Sequence, residues 1–143
     1  MPSSETTHRT PEPPIYIAVA RNSDGISGES FVDGGLRVRV ASPTAENRAG
    51  ATNPEELLAL SWATCLNAAA RVVAGPGTDV EATVEISLHP LTDQGFELSG
   101  AAELRFDGVP LDEAHALAAA AHERCPVSRM LSGRSAVRVT AVA

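Results

Sequence analysis

The apolar segment at residues 52–70, TNPEELLALSWATCLNAAA, constrains the fold more than any other part of the chain. It opens with Asn53, which can cap a helix, and with Pro54 at the first helical position, where a missing N–H costs nothing. Apolar side chains then recur at three- and four-residue spacing until Gly75. The pattern predicts a buried helix of about five turns, with Cys65 on or beside its apolar face. The predicted apolar positions are Leu58, Trp62, Cys65, Leu66, Ala69, Val72 and Val73.

Shorter apolar runs on both sides of this helix predict β-strands. Residues 15–20, 29–32 and 36–40 are separated by turn residues and predict a small antiparallel meander with one solvated face. Residues 80–88 and 96–106 predict a hairpin, and residues 136–142 predict a closing strand.

A second helix is predicted at residues 111–125, followed by one further turn at residues 127–131. The resulting order, β-β-β-α-β-β-α-β, contains no repeated β-α-β unit and predicts an α+β domain. Residues 1–13 contain three prolines and little that could be buried. They predict a disordered leader, with residues 14–143 forming one domain.

The composition disfavours several classes of partner. The net charge is −7, from 18 acidic and 11 basic residues, and no run of Lys or Arg could neutralise a row of phosphates. We therefore expect neither nucleic acid nor a membrane as a partner. We expect no apolar stretch to reach the ~18 residues of a bilayer span, and we expect no signal peptide, because the amino terminus has no apolar core. A cytoplasmic protein is expected, in which two cysteines stay reduced unless they react transiently.

The two cysteines are the most reactive side chains in the sequence. A cysteine on an apolar helical face, such as Cys65, is more often a small core residue than a nucleophile. Cys125 precedes Pro126, and if it caps a short helix there, its sulfur faces unpaired backbone N–H groups. That position favours the thiolate at Cys125 rather than at Cys65.

Histidines near the cysteines raise two other possibilities. A metal site can be drawn from Cys65, His122 and Cys125, but it has no fourth ligand and lacks the short paired spacings of zinc motifs. A Cys–His hydrolase lacks a third group to orient the base. We expect no metal and no cofactor.

Glu55 has two interpretations. Its negative charge suits the first turn of a helix. It also precedes Cys65 by ten residues, about 15 Å along a straight helix, so any partnership between them requires a bridging cation. An arginine could hold this place, and the candidates are Arg21, Arg48 and Arg39.

The two cysteine neighbourhoods together resemble those of the Ohr/OsmC family, thiol peroxidases that confer resistance to organic hydroperoxides. The family has an NPE motif opening a central helix, here residues 53–55, with a cysteine ten residues after its glutamate, here Cys65. A second cysteine follows in a CPxS context, here residues 125–128, preceded by Ala-His at residues 121–122. The resemblance covers most of the chain from about Ile15.

The resemblance implies an α+β, OsmC/Ohr-like fold, with antiparallel sheets around a long central helix, in an intertwined homodimer. It implies an organic hydroperoxide reductase in which Cys65 is the peroxidatic thiol and Cys125 the resolving thiol. Glu55 is then the acidic partner of an activating arginine, for which Arg21 is the first candidate and Arg48 the second. On this basis the Cys65 thiolate is favoured, because an arginine contact outweighs a helix dipole.

The resemblance also implies a substrate class and a reductant. An apolar lining from Leu58, Trp62 and Leu66 suits an alkyl or fatty-acyl hydroperoxide. A Cys65–Cys125 disulfide would be reduced by a dithiol, such as a lipoylated protein. The alternative is a non-catalytic module on the same fold that senses redox state or binds an apolar ligand.

Overall fold

The computed structural model describes residues 12–93 and 95–143. The chain divides into two compact units, one ending at Ala51 and the other running from Thr52 to Ala143. Residues 1–11 of the predicted leader lie outside the described residues, and residues 12–13 have no regular structure. The elements in chain order are β1 (Ala20–Asn22), β2 (Gly28–Val32), β3 (Arg37–Val40), α1 (Pro54–Ala74), β4 (Val80–Leu91), β5 (Gly95–Phe106), α2 (Leu111–Arg124) and α3 (Pro126–Leu131). The predicted α+β class is confirmed.

The first unit is the predicted meander, an antiparallel sheet in the order β1-β2-β3. Its first strand is shorter than predicted and begins at Ala20, whereas residues 15–19 are exposed and form no strand. Pairing starts at Ala20↔Val32 because the chain turns immediately after Val32, at Asp33. β2 therefore offers no residues to pair with an earlier part of β1.

Helix α1 begins and ends where local signals place it. The Asn53 side chain accepts a hydrogen bond from the Glu56 N–H at 2.8 Å, which satisfies one of the free donors of the first turn. The helix ends at Gly75, whose φ of 82° is open to glycine, and the Gly75 N–H donates to the Arg71 carbonyl. Both predicted ends are confirmed.

One face of α1 is buried, and it carries Trp62, Leu66, Ala69 and Ala70. Leu58, Cys65 and Val73 are half-buried, whereas Val72 is 58% exposed, so its predicted burial is wrong. Consecutive helical residues point about 100° apart. Val73 takes the position against the core, and Val72 is turned away from it.

The second unit packs α1 against a hairpin and two helices. Strands β4 and β5 pair antiparallel from Val80↔Phe106 to Leu91↔Gly95, which confirms the predicted hairpin. Helices α2 and α3 complete a core that also contains Ala121 and Cys125. By length and composition alone α1 could cross a bilayer, so the expectation of no such stretch is wrong. Its buried face packs on β4 and α2, as in the core helix of a globular domain.

The predicted closing strand at residues 136–142 is absent from the described structure. Its three valines, Val137, Val139 and Val142, are exposed by 71%, 93% and 92%. A strand requires the backbone donors and acceptors of a neighbour. No strand of the described residues pairs with this segment, so in a single chain it forms no strand despite its β-propensity.

A close contact on β5 fixes the ring of Trp62. A Cβ added at Gly100 would lie 3.0 Å from Trp62 Cζ3 and 3.2 Å from Ile86 Cδ1. A larger residue at this position would crowd the indole, whereas the backbone conformation does not call for glycine.

We expect Gly100→Ala to lower the free energy of unfolding by about 1–3 kcal/mol, because it overpacks the contact with Trp62. Urea unfolding monitored by circular dichroism measures the change. Ala101→Ser adds one heavy atom at an exposed neighbour on β5 and should stay within about 0.5 kcal/mol of the wild type. Equal stabilities for the two variants would contradict the steric role of Gly100.

Candidate active site

Cys125 lies at the junction of α2 and α3, where the helical path is broken. Its N–H donates to the Ala121 carbonyl at 2.9 Å and completes the last turn of α2. Pro126 has no N–H and cannot continue that helix, but it fits the first turn of a new one. Cys125 is therefore the N-cap of α3, as predicted, and its side chain is fully buried.

Cys65 packs against the core cluster that contains Cys125, and Cys125 lies close enough to influence the Cys65 thiol; both are free thiols. Burial raises the pKa of the half-buried Cys65 thiol, and a backbone hydrogen bond from Val127 opposes this effect. The adjacent Cys125, through its charge and its hydrogen bonding, raises the pKa of Cys65 further. The groups of the second unit thus favour the neutral thiol at Cys65.

Ser128 links the second cysteine to α1. The Ser128 N–H donates to Cys125 Sγ at 3.4 Å, and the Ser128 hydroxyl oxygen accepts from Trp62 Nε1 at 2.9 Å. The sequence pattern included Ser128 in the CPxS motif but assigned it no role. A signal was available, since a tryptophan on a buried helical face requires an acceptor for its indole N–H.

Glu55 lies in the first turn of α1 and is half-buried. Its Oε2 atom is buried and has no hydrogen-bond partner among the described residues. The neighbouring Glu56 differs, since its carboxylate accepts from Thr52 and Asn53. A buried carboxylate oxygen without a donor is costly, so Glu55 has unused capacity for a cationic partner.

The candidate arginines belong to the first unit. Arg21 forms a bidentate pair with Asp33, with contacts of 2.8 and 2.9 Å, and this hydrogen bonding lowers the pKa of Asp33. Arg39 donates to the carbonyl of Ala49. Arg48 contributes its carbonyl to a turn, and its side chain is exposed.

The three residues predicted to form an apolar lining are buried or half-buried. Trp62 and Leu66 are core residues packed near both cysteines, and Leu58 is half-buried. An open groove of ≈ 360 Å³ lies elsewhere on α1, and the sequence pattern did not predict it. Its lining residues are Glu56, Ala59, Leu60, Ala63 and Val84. Across residues 12–93 and 95–143, no cluster of three His, Cys, Asp or Glu could hold a metal ion.

Comparison with known proteins places these features in a family. The family model described as OsmC-like protein matches residues 45–141. The organic hydroperoxide resistance protein OhrA of Bacillus subtilis is 33% identical over 128 residues, which cover 84% of this chain and 91% of that protein.

Solved structures agree with the sequence comparison. An organic hydroperoxide resistance protein OsmC from Legionella pneumophila has a TM-score of 0.76 at 36% identity, covering 85% of this chain and 93% of its own. OhrB of Bacillus subtilis has a TM-score of 0.76 at 28% identity, covering 84% and 93%. The chain therefore belongs to the OsmC-like protein family, and its fold is the α+β fold of the Ohr and OsmC proteins.

Proposed function

We propose that this chain is a cysteine-based reductase of organic hydroperoxides. The observation that supports this most is the pair of adjacent free thiols, half-buried Cys65 on α1 and fully buried Cys125 at the start of α3. Cys65 is accessible to a substrate, whereas Cys125 is shielded by the core until it forms the disulfide. Relatives named organic hydroperoxide resistance proteins support the same function.

The proposed reaction has three steps. The Cys65 thiolate attacks the distal oxygen of ROOH; an S–O bond forms, the O–O bond breaks, and Cys65 becomes a sulfenic acid. The leaving alkoxide RO⁻ takes up from solvent the proton that the thiol had released and departs as the alcohol ROH. The Cys125 sulfur then attacks the Cys65 sulfur, forming the disulfide and releasing water. A dithiol returns two electrons and two protons, restoring both thiols and leaving as its own disulfide.

Activation of Cys65 requires a positive charge. Burial and Cys125 raise the pKa of its thiol, whereas the thiolate is the nucleophile. The unpartnered Oε2 of Glu55 can hold an arginine that also stabilises the Cys65 thiolate. We assign this role to Arg21, with Arg48 as the alternative. Asp33 takes two of the five N–H donors of Arg21, so the guanidinium keeps three further donors.

The proposed substrate is an alkyl or fatty-acyl hydroperoxide, because the side chains assigned to its pocket, Leu58, Trp62 and Leu66, are apolar. The proposed reductant is a dithiol such as a lipoylated protein. We place the reaction in the cytoplasm, where both thiols are returned to the reduced state.

We further propose that the working form is a homodimer. Residues 15–19 and 136–142 carry large apolar side chains that are exposed in a single chain, among them Ile15, Val139 and Val142. A second copy can cover these segments and supply the strand partners that one chain lacks.

The reaction predicts distinct fates for the two thiols. One equivalent of cumene hydroperoxide should consume both thiols of the wild type and give an intramolecular disulfide, with repeated turnover when dihydrolipoamide is added. Cys65→Ser should abolish the reaction. Cys125→Ser should keep the first step and accumulate a sulfenic acid that dimedone traps. Thiol titration and mass spectrometry measure these outcomes; one slow oxidation without turnover would instead favour a redox-sensing module.

The assigned role of Glu55 predicts a change in pH dependence. The first step follows the thiolate fraction, and Glu55→Gln weakens the hold on the arginine, so the pKa of Cys65 should rise. We expect the midpoint of the pH–rate profile to move upward by about one unit, with a rate about tenfold lower at pH values below the midpoint.

Glu56→Gln is the matched control, because that neighbouring carboxylate is exposed and already hydrogen-bonded. Its midpoint should equal that of the wild type. Arg21→Ala should slow the first step more than Arg48→Ala. Coincident profiles for Glu55→Gln and Glu56→Gln would remove Glu55 from the mechanism.

A further inference from the structure

Ser128 uses its backbone N–H and its hydroxyl where α3 meets α1. Its backbone N–H donates to Cys125 Sγ at 3.4 Å, and its hydroxyl oxygen accepts from Trp62 Nε1 at 2.9 Å. Ser128 and Cys125 are fully buried, and Trp62 is 8% exposed. Water therefore does not compete for either bond, and the three side chains form one desolvated chain of contacts.

Helix α3 depends on this contact for its position. It has six residues, too few for a helix to be stable without tertiary packing. Its N-cap acceptor is a thiol sulfur, which accepts hydrogen bonds more weakly than the oxygen of Ser, Asp or Asn. The bond from Trp62 to the Ser128 hydroxyl anchors α3 where its own cap is weak.

The hydrogen bond between Trp62 and Ser128 also connects α3 to Cys65, because Trp62 and Cys65 are both on α1. Trp62 precedes Cys65 by three residues, so the two lie next to each other along the helix. Gly100 of the hairpin lies close against the indole ring and limits its movement on that side. The position of Cys125 relative to Cys65 is thus set by a short path: the α1 backbone, the indole N–H, Ser128 and the sulfur.

We propose that Ser128 is a positioning residue for disulfide closure: anchored by Trp62, it holds Cys125 beside Cys65 so that the second thiol attacks rapidly. This inference rests on the proposed function. In the step it serves, Cys65–SOH and Cys125–SH form the disulfide and water. Holding two reacting groups close converts an improbable encounter into a fast intramolecular step.

Rapid closure also protects Cys65. A sulfenic acid that is not quickly converted to the disulfide can react with a second ROOH, giving a sulfinic acid and ROH. Dithiols do not reduce the sulfinic acid. Loss of the hydrogen bond between Trp62 and Ser128 should therefore raise the fraction of Cys65 that is converted to sulfinic acid. A role in overall stability alone would not produce this change at temperatures where the variant is fully folded.

The test compares Ser128→Ala and Trp62→Phe with Ser132→Ala, an exposed serine at the other end of α3. With a hydroperoxide, Ser128→Ala should keep a first-step rate within about twofold of the wild type, whereas Trp62→Phe, which changes the proposed substrate pocket, is compared in disulfide closure only. Disulfide closure should slow by about tenfold, the order expected when a buried hydrogen bond that positions a reacting group is lost. Sulfinic acid should accumulate in Ser128→Ala, and Ser132→Ala should behave as the wild type.

A second arm measures closure without a hydroperoxide. Ellman's reagent forms a mixed disulfide with the more accessible Cys65, and attack by Cys125 then forms the protein disulfide and releases a second thionitrobenzoate. Release should be slowed by about tenfold in Ser128→Ala and Trp62→Phe, and the double variant should be no slower than the slower single variant. The chain has one tryptophan, so a shift in its emission confirms that the bond is lost in Ser128→Ala.

The two arms separate the two proposals. Normal closure in the Ellman arm with no reaction toward hydroperoxides would overturn the proposed function and leave the positioning role standing. Wild-type closure rates in Ser128→Ala or in Trp62→Phe would overturn the positioning role. Slow closure in the wild type itself would also overturn it.

Discussion

Burial of one face of α1 is the interaction on which the second unit depends. Trp62 and Leu66 fill the space against the hairpin, and the small side chains of Ala69 and Ala70 are buried in the same core as Ala121 of α2. Small residues let helices approach closely, which compensates for a chain with only 3% aromatic residues. Cys65 lies at the edge of this face, so core packing also determines the position of the proposed nucleophile.

The same burial creates an electrostatic requirement at two points along α1. Near its start, a Glu55 oxygen is buried without a donor among the described residues, and farther along, burial raises the pKa of Cys65. A single cation meets both requirements in the proposed mechanism, because it pairs with the carboxylate and stabilises the thiolate. The two observations are independent, and each is an electrostatic consequence of taking a polar group out of water.

The elements with local signals are the ones that sequence patterns predicted correctly. Asn53, Pro54 and Gly75 define the ends of α1 through their own backbone chemistry, and Pro126 separates α2 from α3 in the same way. The segments at 15–20 and 136–142 have equally clear β-propensity but were predicted wrongly in whole or in part. A strand is completed by a partner, and local sequence does not state whether one is present.

The sequence alone determined the helix that carries Cys65, the cap formed by Cys125 and, through the two motifs around them, the family. Only the tertiary structure decided that Ser128 binds Trp62, 66 residues away, and that one oxygen of Glu55 is left without a donor. The reason is physical. Caps and helix ends are formed by neighbours in the chain, whereas the contacts of a buried side chain depend on which distant surfaces the fold brings together.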